Sequence, residues 1–594
     1  MLGRFFYTIF VAIINIATVM SYITTQKVGK HTYLIECTGY RNEEKKSRNK
    51  RRYVGRIDPK TGQKIYKTWY IEECKENGIM LSNPTDTPEF SVDDVLKSDI
   101  RSYGLFYFMT NIAERIKLLE ALQNSFKDVW REYFMLSTYM IATNDPFMYC
   151  RDWIEDTECY EVRSALSSQY ISRLLTNQDS KARNDFYSQW YSERQCDEYI
   201  AIDITSESSY SDIIDYVEYG YNRDGESLPQ VNHCMLIGEK ERLPVMQSIF
   251  SGSIRDVSTL KLMIEEIKTL LGATIEAKTI LSDKGFYSKE NIDALLGEGM
   301  NFLIAMPFIS NLSYNILDMV RDDIEDPNNA ITINGITMMG TCKEIQWDEN
   351  HTIYAEIFYN PIKAANAKTE LYSKCTDMKR MITNNPKPYY DMLLNESIRA
   401  KMKKCKDSQE KKILESQLRH VDPNEIKFKI SEVRSLFKIE EIVEGEDYKV
   451  ITDKTLTDEK LKSSGWLIIL SSQKKEPSEV LSAYRDKDVV EKVFWRTKNS
   501  IDLNRLRVHG NDAMQAKMFI GFIASILMCY MNNIMSEKGL YKKYTMYEMV
   551  KKLQGLRVQQ IKGRKLLFPC TKEQREIFDV FEIDYPDKNG VAIS

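Results

Sequence analysis

"DEYIAIDITSESS", residues 197–209, alternates Tyr199 and Ala201 with Ile200 and Ile202, then turns polar at Asp203, Thr205 and a cluster of serines. Period-two alternation predicts a strand, here a buried one that ends in polar groups. Working outward, "AKTILSDKGFYSKENIDALLGEG" (277–299) reads as a strand, a sharp turn at Asp283–Gly285, and a helix with Ser288 as N-cap and Asn291 three residues on. A helix is expected from about 258 to 271, and two more short apolar strands at "NFLIAMP" (301–307) and "GWLIILSS" (465–472). Strands separated by helices predict an α/β fold built on a mixed sheet. Between 308 and 465 the character changes to strands such as "TIYAEIFYNP" and then to Lys-rich helix over 361–418, so the core is interrupted and resumed.

At 594 residues the chain is too long for one core, and 43% hydrophobic with 28% charged residues marks it as globular. The net charge of −4 does not announce a polyanion binder, but local patches matter more than totals. Residues 41–67 carry eleven Lys or Arg against three acids, and a second basic stretch, "KKLQGLRVQQIKGRK", spans 551–565. Each alone reads as a solvated loop; two bracketing one site favour a polyanionic partner. The eleven cysteines include no CxxC pair and the five histidines no ligand spacing, which fits a reducing cytoplasm and argues against structural zinc. "MLGRFFYTIFVAIINIATV" (1–19) is apolar but short for a span, and translation is expected to begin at Met20; a membrane anchor is the lesser alternative. The apolar run 518–531 reads as a buried helix, and no stable membrane association is expected.

Asp203 and Asp283 each close an apolar strand beside small or hydroxyl residues. One such aspartate is commonly a turn or cap residue. Two at strand ends, where open α/β sheets build their ligand sites, form a rarer set. A third acid comes from "YRDKDVVEKVFWRTKN" (484–499), which reads as a helix with Tyr484, Lys487, Glu491 and Lys498 on one stripe. Val489, Val490, Val493, Phe494 and Trp495 supply its packing surface. The stripe on its own is a solvated face with an i,i+4 pair worth about 0.3–0.5 kcal/mol. If the helix lies over the strand ends, Asp203, Asp283 and Glu491 converge as an oxygen-only set suited to two Mg²⁺ or Mn²⁺ ions and in-line phosphoryl transfer.

The spacing Tyr484, Lys487, Glu491, Lys498 resembles the YREK signature (Y-x2-R-x3-E-x6-K) of DDE transposases from bacterial and archaeal insertion sequences. "YIAIDITSES", "DKGFYSKENI" and "RVHGNDAMQAKMFIGFIASIL" are similar to the surroundings of that family's two aspartates and post-glutamate helix. The resemblance implies an RNase H-like core with an insertion between the second aspartate and the glutamate. It implies Asp203, Asp283 and Glu491 as the metal-binding catalytic triad, and Tyr484, Lys487, Lys498 and Arg485 as DNA contacts. It also implies terminal-repeat cleavage, strand transfer and dimerisation on DNA. Lys487 replaces the signature arginine, keeping the charge and losing the bidentate fork. Within the insertion, Trp347 or Trp466 is available to stack on an extruded base, with core packing the alternative for Trp466.

The expected organisation is an extension (1–19), a β-rich DNA-binding candidate (20–90), a helical region (91–195), catalytic core (196–307 and 465–535) around an insertion (308–464), and a C-terminal region (536–594). A transposase-derived protein that only binds DNA, or an RNase H-like nuclease without strand transfer, are the alternatives.

Overall fold

The computed structural model describes residues 21–29, 31–41, 47–59, 62–77, 79, 81, 83, 91–162, 166–177, 179–194, 199–271, 278–333, 335–443, 445–501, 503, 505–562, 564–586 and 592–593. The extension over 1–19 and the start at Met20 lie outside these residues. The chain divides into two compact units: residues 1–105, 156–158 and 552–594 form one, and 106–155 and 159–551 the other.

In the first unit an antiparallel sheet runs in chain order through β1 (Ser21–Val28), β2 (His31–Arg41), β3 (Ser47–Ile57) and β4 (Lys64–Tyr66). Between β3 and β4, Gly62 N–H donates to the Asp58 carbonyl at 2.8 Å, with Gly62 at φ +69°, a conformation open to glycine. Helix α1 (Thr68–Glu76) covers one face through Tyr70 and Cys74 against Leu34 and Val54. On that face Arg52 bridges Glu36 at 2.6 Å and Glu73 at 2.8 Å. A second small sheet pairs β5 (Asp99–Ser102) with the strand Arg557–Ile561, which continues to Arg564–Leu567. Cations of the second basic stretch are committed here: Lys552 to Glu573, Lys562 to Asp94 and Lys565 to Glu158, each at 2.7 Å. That stretch is therefore partly paired, while Lys551, Arg557 and Arg564 in it are exposed.

In the second unit a helical layer, including α2 (Leu118–Ser125), α3 (Trp130–Thr143) and α4 (Ser180–Ser192), precedes the sheet. The sheet's first strands are β6 (Ile200–Ser208), β7 (Gln230–Gly238) and β8 (Pro244–Ser251), followed by helix α5 (Asp256–Leu271). Then come β9 (Thr279–Ser282), α6 (Lys289–Gly297) and β10 (Asn301–Met306), with Ser288 Oγ capping α6 at Asn291 N–H, 3.0 Å, as the sequence predicts. Strands β11 (Ala330–Ile333), β12 (Ile336–Gln346) and β13 (Thr352–Tyr359) extend the same sheet.

The chain then leaves through α7 (Pro361–Asn384), α8 (Lys387–Lys404) and α9 (Ser408–Ser416) and the hairpin β14 (Phe437–Val443) and β15 (Asp447–Thr452). It returns as β16 (Trp466–Ser471). Among the described residues the strands line up as β11-β12-β13-β16-β10-β9-β6-β7-β8, with β6, β9 and β10 parallel and the other pairings antiparallel. The mixed α/β expectation holds.

Two expectations change. The insertion read as 308–464 is divided, because β11 to β13 belong to the main sheet; only the excursion between Asn360 and Gly465 has a separate core, built on residues such as Met378, Ile382, Tyr389 and Phe437. The Lys-rich helix read over 361–418 is three helices: Pro386 disfavours helical backbone at Asn385 and marks the first break, and Asp407, accepting the Gln409 N–H, caps the helix after the second.

Helix α12 (Asn511–Glu537) is the one described helix long and apolar enough to cross a membrane. Its apolar residues are instead buried in the second unit, where Phe519 meets Phe126, Tyr133, Phe186 and Tyr187 at ring distances of 5.1–5.8 Å.

In the middle of the sheet, Glu356 on β13 is fully buried and burial pushes its carboxyl up to about 7. An unfolded glutamate releases its proton near 4.3, so between about pH 4 and 7 the folded state holds the extra proton and stability falls as pH rises. Glu356→Gln should remove about 2–3 kcal/mol of that loss. The thermal midpoint difference between pH 5 and pH 8 should shrink accordingly; an unchanged difference would refute the assignment.

Candidate active site

Strands β6 and β9 are parallel neighbours with Ala201 opposite Leu281, so two residues further on Asp203 and Asp283 come side by side. Asp203 lies on β6 with Oδ1 accepting the Ile204 N–H at 2.9 Å. Asp283 follows β9, where its Oδ1 accepts the Gly285 N–H at 2.7 Å and caps a short 3₁₀ turn. Burial pushes the Asp203 carboxyl up to about 6; the Lys487 ammonium pulls it down and the charge on Asp283 pushes it up. Two adjacent carboxylates, one strongly desolvated, form an anionic pair with oxygen donors only, which fits a hard divalent cation.

Lys487 arrives from the opposite end of the sequence. Helix α10 (Pro477–Asp486) and helix α11 (Asp488–Ser500) meet at this residue, so the single helix read over 484–499 is two helices joined by a one-residue turn. Val490 N–H donates to the Lys487 carbonyl at 2.9 Å, a tightened i→i−3 bond that marks the joint. Val490, Val493 and Phe494 are buried and seat α11 on β6 and β7, with Phe494 edge-on to the His233 ring at 5.5 Å. Trp495, read as part of that packing surface, is instead 65% exposed, because it projects from the same side as Glu491, four residues earlier.

The polar stripe is not uniformly open to solvent. Lys487 is buried, with Nζ 3.9 Å from Glu491 Oε1, and Glu491 itself is exposed. Lys498 is also buried, its Nζ 2.6 Å from Asp224 Oδ2. Tyr484 is half-buried, while Arg485 turns to the sheet edge, donating to the Ile333 carbonyl at 3.4 Å. The structure thus joins Asp203, Asp283 and Lys487, and reaches Glu491 through Lys487. Among the described residues no three acidic, His or Cys side chains are close enough together to hold a metal ion, so the three-carboxylate convergence read from the sequence is incomplete here.

Sequence reasoning missed the surrounding loop. Between β6 and β7, Asn222 Oδ1 accepts the N–H groups of Asp224 at 2.9 Å and Glu226 at 3.2 Å, and the turn so formed aims both acids at cations. Glu226 takes Arg505 Nη2 at 2.6 Å and the Ser208 hydroxyl at 2.5 Å. Arg223 in the same loop donates to Asp256 at the start of α5 and to Ser206 Oγ at 3.3 Å.

Asp256 Oδ2 and Asp283 Oδ1 flank Gly285, at 3.3 and 3.0 Å from where a Cβ would sit. Asp256 therefore adjoins the aspartate pair. The sequence signal available was "GYNRDGESLPQVNHCMLIG", which is similar to the strands that follow the first aspartate in the DDE transposases but assigns no role to Arg223, Asp224 or Glu226. Behind the site Glu207 is fully buried 3.6 Å from His233 Nδ1, and burial raises its carboxyl. Of the tryptophans considered for stacking, Trp347 donates to Asp293 Oδ1 at 2.6 Å and Trp466 packs on Tyr359 at 4.7 Å.

Asp203 and Asp283 on adjacent parallel strands, with Lys487 beside them, thus form an anionic pair edged by a cation. The transposase DDE domain family matches residues 194–527, more than half of the chain and all of the site just described, and the chain belongs to that family. No curated protein matches it. Among solved structures, it is similar to a piggyBac transposase synaptic complex with hairpin DNA determined by cryo-EM. That similarity covers 82% of this chain and 75% of the other, at 10% identity and a TM-score of 0.31.

Proposed function

We propose that this chain is the transposase of an insertion sequence with a YREK-type signature, cutting DNA at terminal inverted repeats and joining the 3′ ends to target DNA. The observation that carries the reading is the Asp203–Asp283 pair on β6 and β9 with the Lys487 charge beside it. The parallel trio β6, β9 and β10, extended by antiparallel β7 and β8, supports an RNase H-like core. Asp203, Asp283 and Glu491 are the residues that would hold Mg²⁺ or Mn²⁺, two ions in this reading. When bound, the ions supply charge neutralisation and activation of the attacking oxygen. Lys487 holds Asp203 toward its ionised form, and Tyr484, Lys487, Lys498 and Arg485 are the residues offered to DNA phosphates. Two transposon ends need pairing, so a homodimer on DNA is part of the proposal, as is action in the cytoplasm.

The experiment is incubation of the protein with labelled terminal-repeat DNA, with Mg²⁺, Mn²⁺ or EDTA, and mapping of nicks. Metal-dependent nicking at the repeat boundary is the expected result; binding without nicking in any metal would defeat the enzymatic reading.

In this reading DNA competes with Asp224 for Lys498 and with Glu226 for Arg505. Asp224→Asn should tighten binding to the terminal repeat roughly two- to five-fold, the equivalent of about 0.5–1 kcal/mol for a partly exposed pair. Fluorescence anisotropy at fixed salt measures it, and weaker binding would show that the loop serves the DNA contact instead of opposing it.

A further inference from the structure

The N-terminal sheet has two unlike faces. Strands β1 to β4 carry eight Lys or Arg and a single acid, Glu36. Glu36 lies on the α1 side, bound by Arg52 and by the Tyr70 hydroxyl at 3.2 Å. Register decides what the other face holds. Ile35 is opposite Tyr53, Cys37 opposite Arg51, and Tyr33 opposite Arg56, with a register shift between Leu34 and Ile35. The shift brings Tyr53 and Arg56, three residues apart, onto one face, which an unbroken ladder would not.

β1 adds Tyr22 opposite Cys37, and Lys67 reaches the same face with Nζ 4.4 Å from the Tyr53 ring. Arg51 and Arg56 are exposed, as are Tyr22 at 55% and Tyr53 at 39%. This face thus presents Arg51, Arg56, Lys67 and tyrosine hydroxyls, and none of the four strands places an acid on it.

We propose that the face of this sheet turned away from α1 binds the phosphate backbone of double-stranded DNA. Charge points to a polyanion as the partner, since among the described residues three cations and no acid share the surface. Ring geometry selects duplex over single strand. Tyr33 and Tyr53 meet at 5.0 Å and 71°, edge to face, and His31 meets Tyr33 at 54°, so the rings prop one another. They do not offer the parallel faces on which unpaired bases stack. Hydroxyl, guanidinium and ammonium donors are what this surface extends, and those suit phosphate oxygens. The proposal rests on the transposase reading only for the choice of DNA as the polyanion.

The test is anisotropy titration of the full-length protein with a labelled terminal-repeat duplex in EDTA, over a range of salt. Arg51→Ala/Arg56→Ala/Lys67→Ala should weaken binding at least about ten-fold near 0.1 M salt and lower the salt slope by about two to three, close to 0.9 for each phosphate no longer neutralised. Arg48→Ala/Lys50→Ala, whose positions alternate to the α1 side, should leave the slope nearly unchanged, and thermal midpoints of all variants should match wild type. An equal loss from the second pair, an unchanged slope in the triple variant, or tighter binding of a single strand than of the duplex would each overturn the proposal. Nicking with Mg²⁺ on the same preparations separates the two readings. Wild-type nicking with a salt slope indifferent to the triple variant removes this face alone. Face-dependent binding without nicking keeps the face and removes the enzyme.

Discussion

Asp203→Asn should abolish metal-dependent nicking of terminal-repeat DNA, by at least about 10³-fold, while leaving DNA binding within a few-fold of wild type. The size follows from the proposed role: a lost metal anchor removes several kcal/mol of transition-state stabilisation, and each 1.36 kcal/mol is ten-fold in rate. Asp283→Asn should act equally.

A second readout needs no catalysis. Burial holds the Asp203 carboxyl near 6, well above an unfolded aspartate near 3.9. Between those values the folded state carries the extra proton, so stability falls as pH rises through this window and the cost is complete above it. Asp203→Asn should therefore raise the thermal midpoint of metal-free protein at pH 7.5 but not at pH 4. Mg²⁺ or Mn²⁺ should raise the midpoint of wild type at pH 7.5 and fail to do so in either variant. A nicking-competent Asp203→Asn protein, or one that gains as much from Mn²⁺ as wild type, would remove Asp203 from the metal site.

Phe519→Ala should cost about 3–5 kcal/mol, enough to unfold the second unit at modest temperature. Phe519 is fully buried on α12 and meets four aromatic rings, from Phe126, Tyr133, Phe186 and Tyr187. Its removal leaves a cavity that rings on three separate elements cannot close without moving backbone, and edge-to-face pairs add about 0.5–1.5 kcal/mol each beyond buried area. Phe519→Leu, which keeps most of the volume, should lose far less. Urea midpoints for the two variants decide it: equal, small losses would mean that the helical layer repacks freely around α12.

Much of the geometry of the candidate site was legible because it is written in local alternation. Strand periodicity located Asp283 just past an apolar strand, and the spacing of small, polar and capping residues located its turn and the cap at Ser288; Asp203, read as closing its strand, lies within β6, which continues to Ser208 because Thr205, Ser206 and Glu207 are buried there too. What stayed illegible depends on partners remote in sequence. Lys498 looks solvent-facing by helical position, yet it is covered and paired with Asp224, 274 residues away. Lys487 reads as helical, yet it is the residue at which α10 ends and α11 begins. Arg223 and Asp256 occupy unremarkable loop and helix-start positions, and their proximity to the aspartates comes from the fold of the β6–β7 loop. The assignment of β11 to β13 to an insertion failed for a similar cause: alternation identifies a strand but not the sheet it joins.

The departure of the chain at Asn360 and its return at Gly465 have a consequence for how such a protein can change. Tyr359 and Trp466 are ladder partners, and Asn360 N–H donates to the Gly465 carbonyl at 2.8 Å, with Gly465 at φ +83°. The excursion is therefore closed at this neck, beside which Lys462 also meets Tyr314 and Arg321. Loop-closure entropy grows only with the logarithm of length, so the sheet is nearly indifferent to how much chain hangs from that neck. Shortening or lengthening α7, α8 or α9 should therefore leave the register of β13 and β16, and with it Asp203 and Asp283, undisturbed.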